Sequence, residues 1–159
     1  LGKGFGREWE TNFTKEEQRT MITLWCVFGS PLMIGAELTK LDTWTLDLLT
    51  RKEILKLVSN EYVGRQFEKN EAYAVWSCLN DTTGEKYLAM FNFQETDQIL
   101  SCCLSEVEQF AGQAGIEAVH GAAELWSGEK LVFEGVLVDT VPAHGARLYL
   151  LDSYPQQES

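Results

Sequence analysis

The sequence predicts an α+β chain, a helix–strand–helix unit of βα type followed by an antiparallel β-sandwich. Three observations carry this. Helix-start signals recur three times in the first sixty residues, and a short apolar run without alternation, LMIG at 32–35, sits between the first two. Beyond residue 60 the texture changes to short segments rich in β-branched and aromatic residues, separated by polar turns.

The opening LGKGFGREWETNF, with three glycines in six residues, reads as loop. TKEEQRTMITLWCVFG then begins with a capping box, in which Thr14 accepts the Glu17 amide proton and the Glu17 side chain reaches back. From Met21 to Phe28 the helix is almost wholly apolar, so burial on most sides is expected, and Gly29 with Ser30–Pro31 ends it. LMIG has the pattern of a parallel strand covered on both faces. LDTWTLDLLT reads as a helix capped by Asp42, and a second capping box, Thr50 to Glu53, starts RKEILKLV. EAYAVWSCL, EKYLAMFNF, DQILSCCL, IEAVHGAAELW, KLVFEGVLVD and ARLYLLD are the expected strands, divided by NDTTGE, SGEK and PAHG. EVEQFAGQAG fits either an irregular connection or a helical turn.

Composition bounds the function. Apolar content of 45% supports a real core. A net charge of −11 excludes nucleic acid and anionic membrane surfaces as partners, since both require a surplus of Lys and Arg. Residues 1–60 carry eight basic and eight acidic side chains, leaving five against sixteen in residues 61–159. That shift marks a boundary between a first unit, 1–59, and a second, 60–159. Cys26, Cys78, Cys102 and Cys103 lack C-x-x-C spacing, and His120 and His144 offer no metal pattern. The cysteines read as buried free thiols, which points to a reducing cytoplasm. No apolar run is long enough to span a bilayer. The chain begins at Leu1 rather than Met, with nothing near it resembling a signal peptide.

Candidate chemistry is sparse. Glu8 and Glu10 flank Trp9, which reads either as two solvated loop glutamates beside an anchoring Trp or as two carboxylates beside a ring that can stack on a sugar, as a glycosidase needs. GKGFG lacks the strand and terminal Gly-Lys-Ser/Thr of a phosphate loop. His144 reads as a turn residue, and Trp76 and Trp126 as core rather than a carbohydrate platform. The Cys102–Cys103 pair reads as inert packing, with no cation or helix start to lower a thiol pKa.

Two longer stretches change the picture. TKEEQRTMITLWCVFGSPLMIGAELTKLDTWTLDLLTRKEI resembles the last helix–strand–helix of the barrel in clan-D glycoside hydrolases of family 27, the α-galactosidase and α-N-acetylgalactosaminidase family. AELWSGEKLVFEGVLVDTVPAHGARLYLLDS resembles the end of that family's C-terminal sandwich. The resemblance implies that 1–59 is the terminal piece of a (β/α)8 barrel, that SPLMIGAEL is its eighth strand with the exit loop, and that 60–159 is the sandwich. It also implies that the family's catalytic aspartates, after strands four and six, lie upstream of Leu1. The chain then carries no catalytic carboxylate, no metal and no cofactor, and offers only Arg7, Glu8 and Trp9 to the substrate rim. The implied role is to close and brace the barrel of a retaining hydrolase of terminal α-galactosides or α-N-acetylgalactosaminides. Its implied partners are the carbohydrate substrate and the N-terminal barrel portion of the same protein, with self-association through residues 24–36 where barrel strands are missing. The alternative is a non-catalytic carbohydrate-binding or accessory sandwich module.

Overall fold

The structure is a computed structural model that describes residues 12–29, 39, 41–59, 61–111 and 121–152. Helices α1 (Lys15–Phe28), α2 (Thr43–Thr50) and α3 (Lys52–Leu55) come first, with a 3-10 turn at Lys56–Val58. Strands β1 (Val63–Lys69), β2 (Tyr73–Leu79), β3 (Lys86–Asn92) and β4 (Gln98–Cys103) follow. Helix α4 (Leu104–Ala111) then leads to β5 (Gly121–Glu124), β6 (Lys130–Val132), β7 (Val136–Val141) and β8 (Ala146–Asp152). The expected LMIG strand lies outside the described residues.

Local chemistry explains the helix ends. Thr14 and Glu17 form the reciprocal capping box, and Gly29 closes α1 in the left-handed region at φ 74°. Asp42 caps α2 by accepting the Thr45 amide at 2.7 Å. The second expected box does not form. Thr50 is the last residue of α2, and its hydroxyl donates back to the Leu46 carbonyl at 2.8 Å, so Arg51 precedes α3 without a side-chain cap. Such i−4 back-bonding competes directly with capping for the same hydroxyl.

Among the described residues all strand pairs are antiparallel, in a six-stranded sheet of order β1-β2-β3-β8-β5-β6 and a two-stranded sheet of β4 and β7. Both faces of the larger sheet are covered. Tyr87, Ala89 and Phe91 of β3, with Ala146 and Leu148 of β8, join Ile22, Cys26 and Val27 of α1 in one core. Leu88 and Met90, with Tyr149 and Leu151, meet Leu100, Leu137 and Val141 of the small sheet, and Leu104 and Val107 of α4, in the other. The period-2 alternation of strand side chains therefore sends apolar groups both ways, which is why these strands read as near-continuous apolar runs.

Three features depart from the sequence reading. β1 was not among the expected strands. It is an edge strand with mostly exposed side chains and a bulge between Gln66 and Glu68, so it lacks an apolar signature. KLVFEGVLVD is two strands, because Gly135 at φ 70° turns the chain from β6 in the large sheet to β7 in the small one. The C-terminal half of α1 is not buried on most sides, since it lies on the sheet by one face and leaves Leu24 40% and Phe28 64% exposed.

Helices and sheet are joined by specific contacts. The Trp126 indole N–H donates to the Thr23 hydroxyl at 2.8 Å, and that hydroxyl donates to the Arg19 carbonyl at 2.7 Å. Arg51 donates to the carbonyls of Leu125 and Trp126, and its guanidinium lies 5.5 Å from the Trp126 ring centroid. At Gly64 the backbone of β1 approaches α1 so closely that a Cβ would fall 1.6 Å from the Val27 carbonyl oxygen.

Trp126→Ala is expected to cost roughly 3–5 kcal/mol in denaturant unfolding, as a core deletion. Thr23→Val, which leaves the buried indole donor unpaired, should cost about 1–3 kcal/mol. Gly64→Ala should cost about 3 kcal/mol, because the clash is with backbone and only movement of α1 relieves it. A stability change under about 0.5 kcal/mol for Gly64→Ala would show that α1 and β1 are not in contact in solution.

Candidate functional site

The predicted rim residues Arg7, Glu8 and Trp9, together with Glu10, lie outside the described residues, as does His120. The other candidates can be placed. Trp126, 7% exposed, belongs to the core beneath the helices. Trp76 is half-buried against the same core and meets Phe28 edge-on with ring centroids 5.8 Å apart. With Trp126 turned inward and its N–H taken by Thr23, the two rings do not form a paired sugar platform.

Two carboxylates that the sequence reading passed over are engaged by the fold. Glu124, 1% exposed, accepts from the Ser127 amide at 2.6 Å and the Leu148 amide at 3.2 Å, with Arg147 at 3.9 Å. These bonds close the β5–β6 turn onto β8. The signal was present in the run Glu124 to Ser127–Gly128, an acid followed three residues later by a turn. Glu85 accepts from the Tyr62 and Tyr87 hydroxyls and pairs with Lys56 at 3.1 Å. The Tyr62 bond foremost, then those from Lys56 and Tyr87, holds the Glu85 carboxyl below the usual carboxylate range. Burial, reinforced by the same carboxylate, pushes the Tyr62 hydroxyl up to about 12. These four groups tie the end of the helical layer to the edge of β3, and no arrangement of adjacent residue types announced them.

His144 is a turn residue, with φ 52° and its Nε2 2.9 Å from Glu95. The hydrogen bond that the imidazole donates to that carboxylate raises it above its ordinary 6.5.

The cysteines separate into two classes. Cys26, Cys78 and Cys102 are buried free thiols that burial pushes up to about 12. Cys103 differs from the inert reading of the pair. It immediately precedes α4, where the Ser105 hydroxyl at 3.1 Å, then the Glu106 and Ser105 amides, lower its thiol below 9.0. The sequence leaves a helical turn open only from Glu106, so a helix start directly after Cys103 is not visible in it. Among the described residues no group of three or more His, Cys, Asp or Glu could hold a metal ion, and no helix is long and apolar enough to cross a membrane.

No family model matches the chain. Individual proteins do. It is 28% identical over 146 residues to an α-galactosidase of Coffea arabica, covering 87% of this chain and 36% of that protein. It is 26% identical over 133 residues to a protein of Aspergillus oryzae named probable α-galactosidase B, covering 76% of this chain and 30% of that protein. The solved GH27 β-L-arabinopyranosidase of Geobacillus stearothermophilus is similar at a TM-score of 0.82 and 35% identity, over 99% of this chain and 34% of that one. The chain is related to the C-terminal part of family 27 glycoside hydrolases. It spans about a third of the length of the curated relatives it matches. Within this segment the described polar groups largely brace one layer against another: Glu124 closes a strand turn, and Thr23, Arg51 and Glu85 join helices to sheet.

The thiol environments give a direct test. In the folded chain at neutral pH, iodoacetamide should alkylate Cys103 at least about tenfold faster than Cys26, Cys78 or Cys102, as read by peptide mass spectrometry. Equal rates at all four would mean that the buried thiols open freely to solvent.

Proposed function

We propose that this chain is the C-terminal portion of a retaining glycoside hydrolase, and that it closes and braces a catalytic barrel whose aspartates lie elsewhere in the protein. Residues 1–59 supply the last βα unit and residues 60–159 the sandwich. Arg7, Glu8 and Trp9 lie at the substrate rim, and no residue here acts as nucleophile or acid/base. The observation that carries this reading is the extent of the match: nearly the whole chain aligns with about a third of a GH27 enzyme at 35% identity.

The two faces of α1 support the bracing role. One face is buried on the sheet through Ile22, Thr23, Cys26 and Val27, while Leu24 and Phe28 stay exposed. An apolar row beside a packed one suits a helix held between two layers, the sandwich on one side and barrel strands on the other. Where those strands are absent, the same surface would drive self-association through residues 24–36.

The substrate class is a terminal pyranoside of galacto configuration. The relatives named above are α-galactosidases and a β-L-arabinopyranosidase. The α-D-galactopyranosyl and β-L-arabinopyranosyl rings share their hydroxyl stereochemistry and differ in the hydroxymethyl group on C5. Hydrolysis would proceed by double displacement with two carboxylates, neither of them in this chain.

The 159-residue chain alone should release no nitrophenol from nitrophenyl α-galactoside above the buffer rate. Mixing it with a separately produced N-terminal barrel portion should restore turnover. Turnover by the chain alone, abolished by Glu8→Gln or Glu10→Gln, would overturn the reading and place the site in the first loop. Retention of the isolated chain on immobilised galactose would favour the accessory sugar-binding module instead.

A further inference from the structure

The turn at 142–145 carries the chain from β7 of the small sheet to β8 of the large one. It meets both the connection between β3 and β4 and the middle of α1. The His144 amide donates to the Gln94 carbonyl at 3.1 Å, and the Ala143 amide donates to Asp97 at 3.0 Å. The Asn92 side-chain amide, fully buried, donates to the carbonyls of Thr96, Val141 and Pro142. The Thr20 hydroxyl of α1 donates to the His144 carbonyl at 2.8 Å. The residue at the hub, His144, also reaches Glu95 with its Nε2 at 2.9 Å. At this residue the side chain reaches the loop while the main-chain carbonyl reaches the helix.

We propose that this junction is a pH-responsive clasp, in which the protonated His144 side chain locks the 142–145 turn to Glu95 and, through its own carbonyl and Thr20, fixes α1 against the sheet. The surrounding charges favour this. Glu95 and Asp97 approach from the loop and Glu17 from α1, all of them acidic. Among the described residues, Arg19 pairs with Glu16, and Arg147 with the Thr140 carbonyl and Glu124. A neutral imidazole can still donate from Nε2, so deprotonation loosens the clasp rather than opening it.

The direction of the pH effect follows from linkage. The imidazole is raised above 6.5 in the folded chain, first by the Glu95 hydrogen bond. Its contribution is therefore fully present below the unfolded value and is lost as pH rises through the folded one. The clasp is beyond the reading of the chain as part of a hydrolase and needs no catalysis to be tested.

The experiment is NMR on the full chain, with the two histidines distinguished by His120→Gln. The His144 titration midpoint should lie above 6.5 and fall toward it in Glu95→Gln. Amide protection factors at Asn92, His144 and the Thr23–Leu24 turn of α1 should drop about two- to fivefold between about pH 5.5 and about pH 8.5 in the unaltered chain, and that drop should vanish in Glu95→Gln. Thr20→Val should keep the midpoint and abolish the pH dependence in α1 alone. A midpoint at or below 6.5, a midpoint indifferent to Glu95→Gln, or α1 protection that ignores pH in the unaltered chain would each overturn the clasp. Loss of activity in a reassembled hydrolase would bear on the proposed function and leave these readouts untouched.

Discussion

Strands β3 and β8 bury side chains on both faces of the six-stranded sheet, and the rest of the structure answers that constraint. A sheet with one wet face needs one covering layer, whereas this one needs two. Tyr87, Phe91 and Leu148 project toward the helices while Leu88, Met90 and Tyr149 project toward the small sheet. Each large apolar side chain left uncovered would forfeit about 1.5–3 kcal/mol of burial. The helical layer is therefore part of the fold of the sheet, although its sequence reads as belonging to a separate unit.

Dispersion and burial would let the layers slide, so polar ties fix their registry. Thr23 holds the Trp126 indole, Arg51 holds the two carbonyls beside it, and Glu85 collects Tyr62, Tyr87 and Lys56. Each tie pairs groups that would be costly if buried alone. Glu124 works in the same way inside the sheet, where two amides and a nearby guanidinium surround a carboxylate that is 1% exposed. Among the described residues, Ser77 Oγ is the buried side-chain atom without a partner.

Bracing also gives the functional reading its physical content. A helix that is packed on one face and apolar on the other transmits the position of one layer to the next. In α1 the packed face is set by Cys26 and Val27 against the sheet, and its middle by Thr20 against the 142–145 turn. The open face, with Leu24 and Phe28, is where a further layer would seat.

The sequence by itself determined the local events. Thr14–Glu17 and Asp42 begin helices because their side chains satisfy amides three residues away, and β2, β3, β4 and β8 form where β-branched and aromatic residues run between polar turns. Two motif-bearing stretches were also enough to carry the likeness to family 27. The candidate site was less legible, since Glu8 and Trp9 stood on residue type and loop position with Arg7 beside them, and nothing in the sequence says what the loop faces. Only the tertiary structure decided the rest: that polar β1 is a strand, that KLVFEGVLVD divides between two sheets at Gly135, that Thr50 spends its hydroxyl inside α2, and that Cys103 meets a helix start. It also joined Thr23 to Trp126, Arg51 to Leu125 and Tyr62 to Glu85. The reason is range. A cap or a turn is written within a few residues, whereas an edge strand's partners and a buried polar group's partners come from distant parts of the chain that meet only when the layers pack.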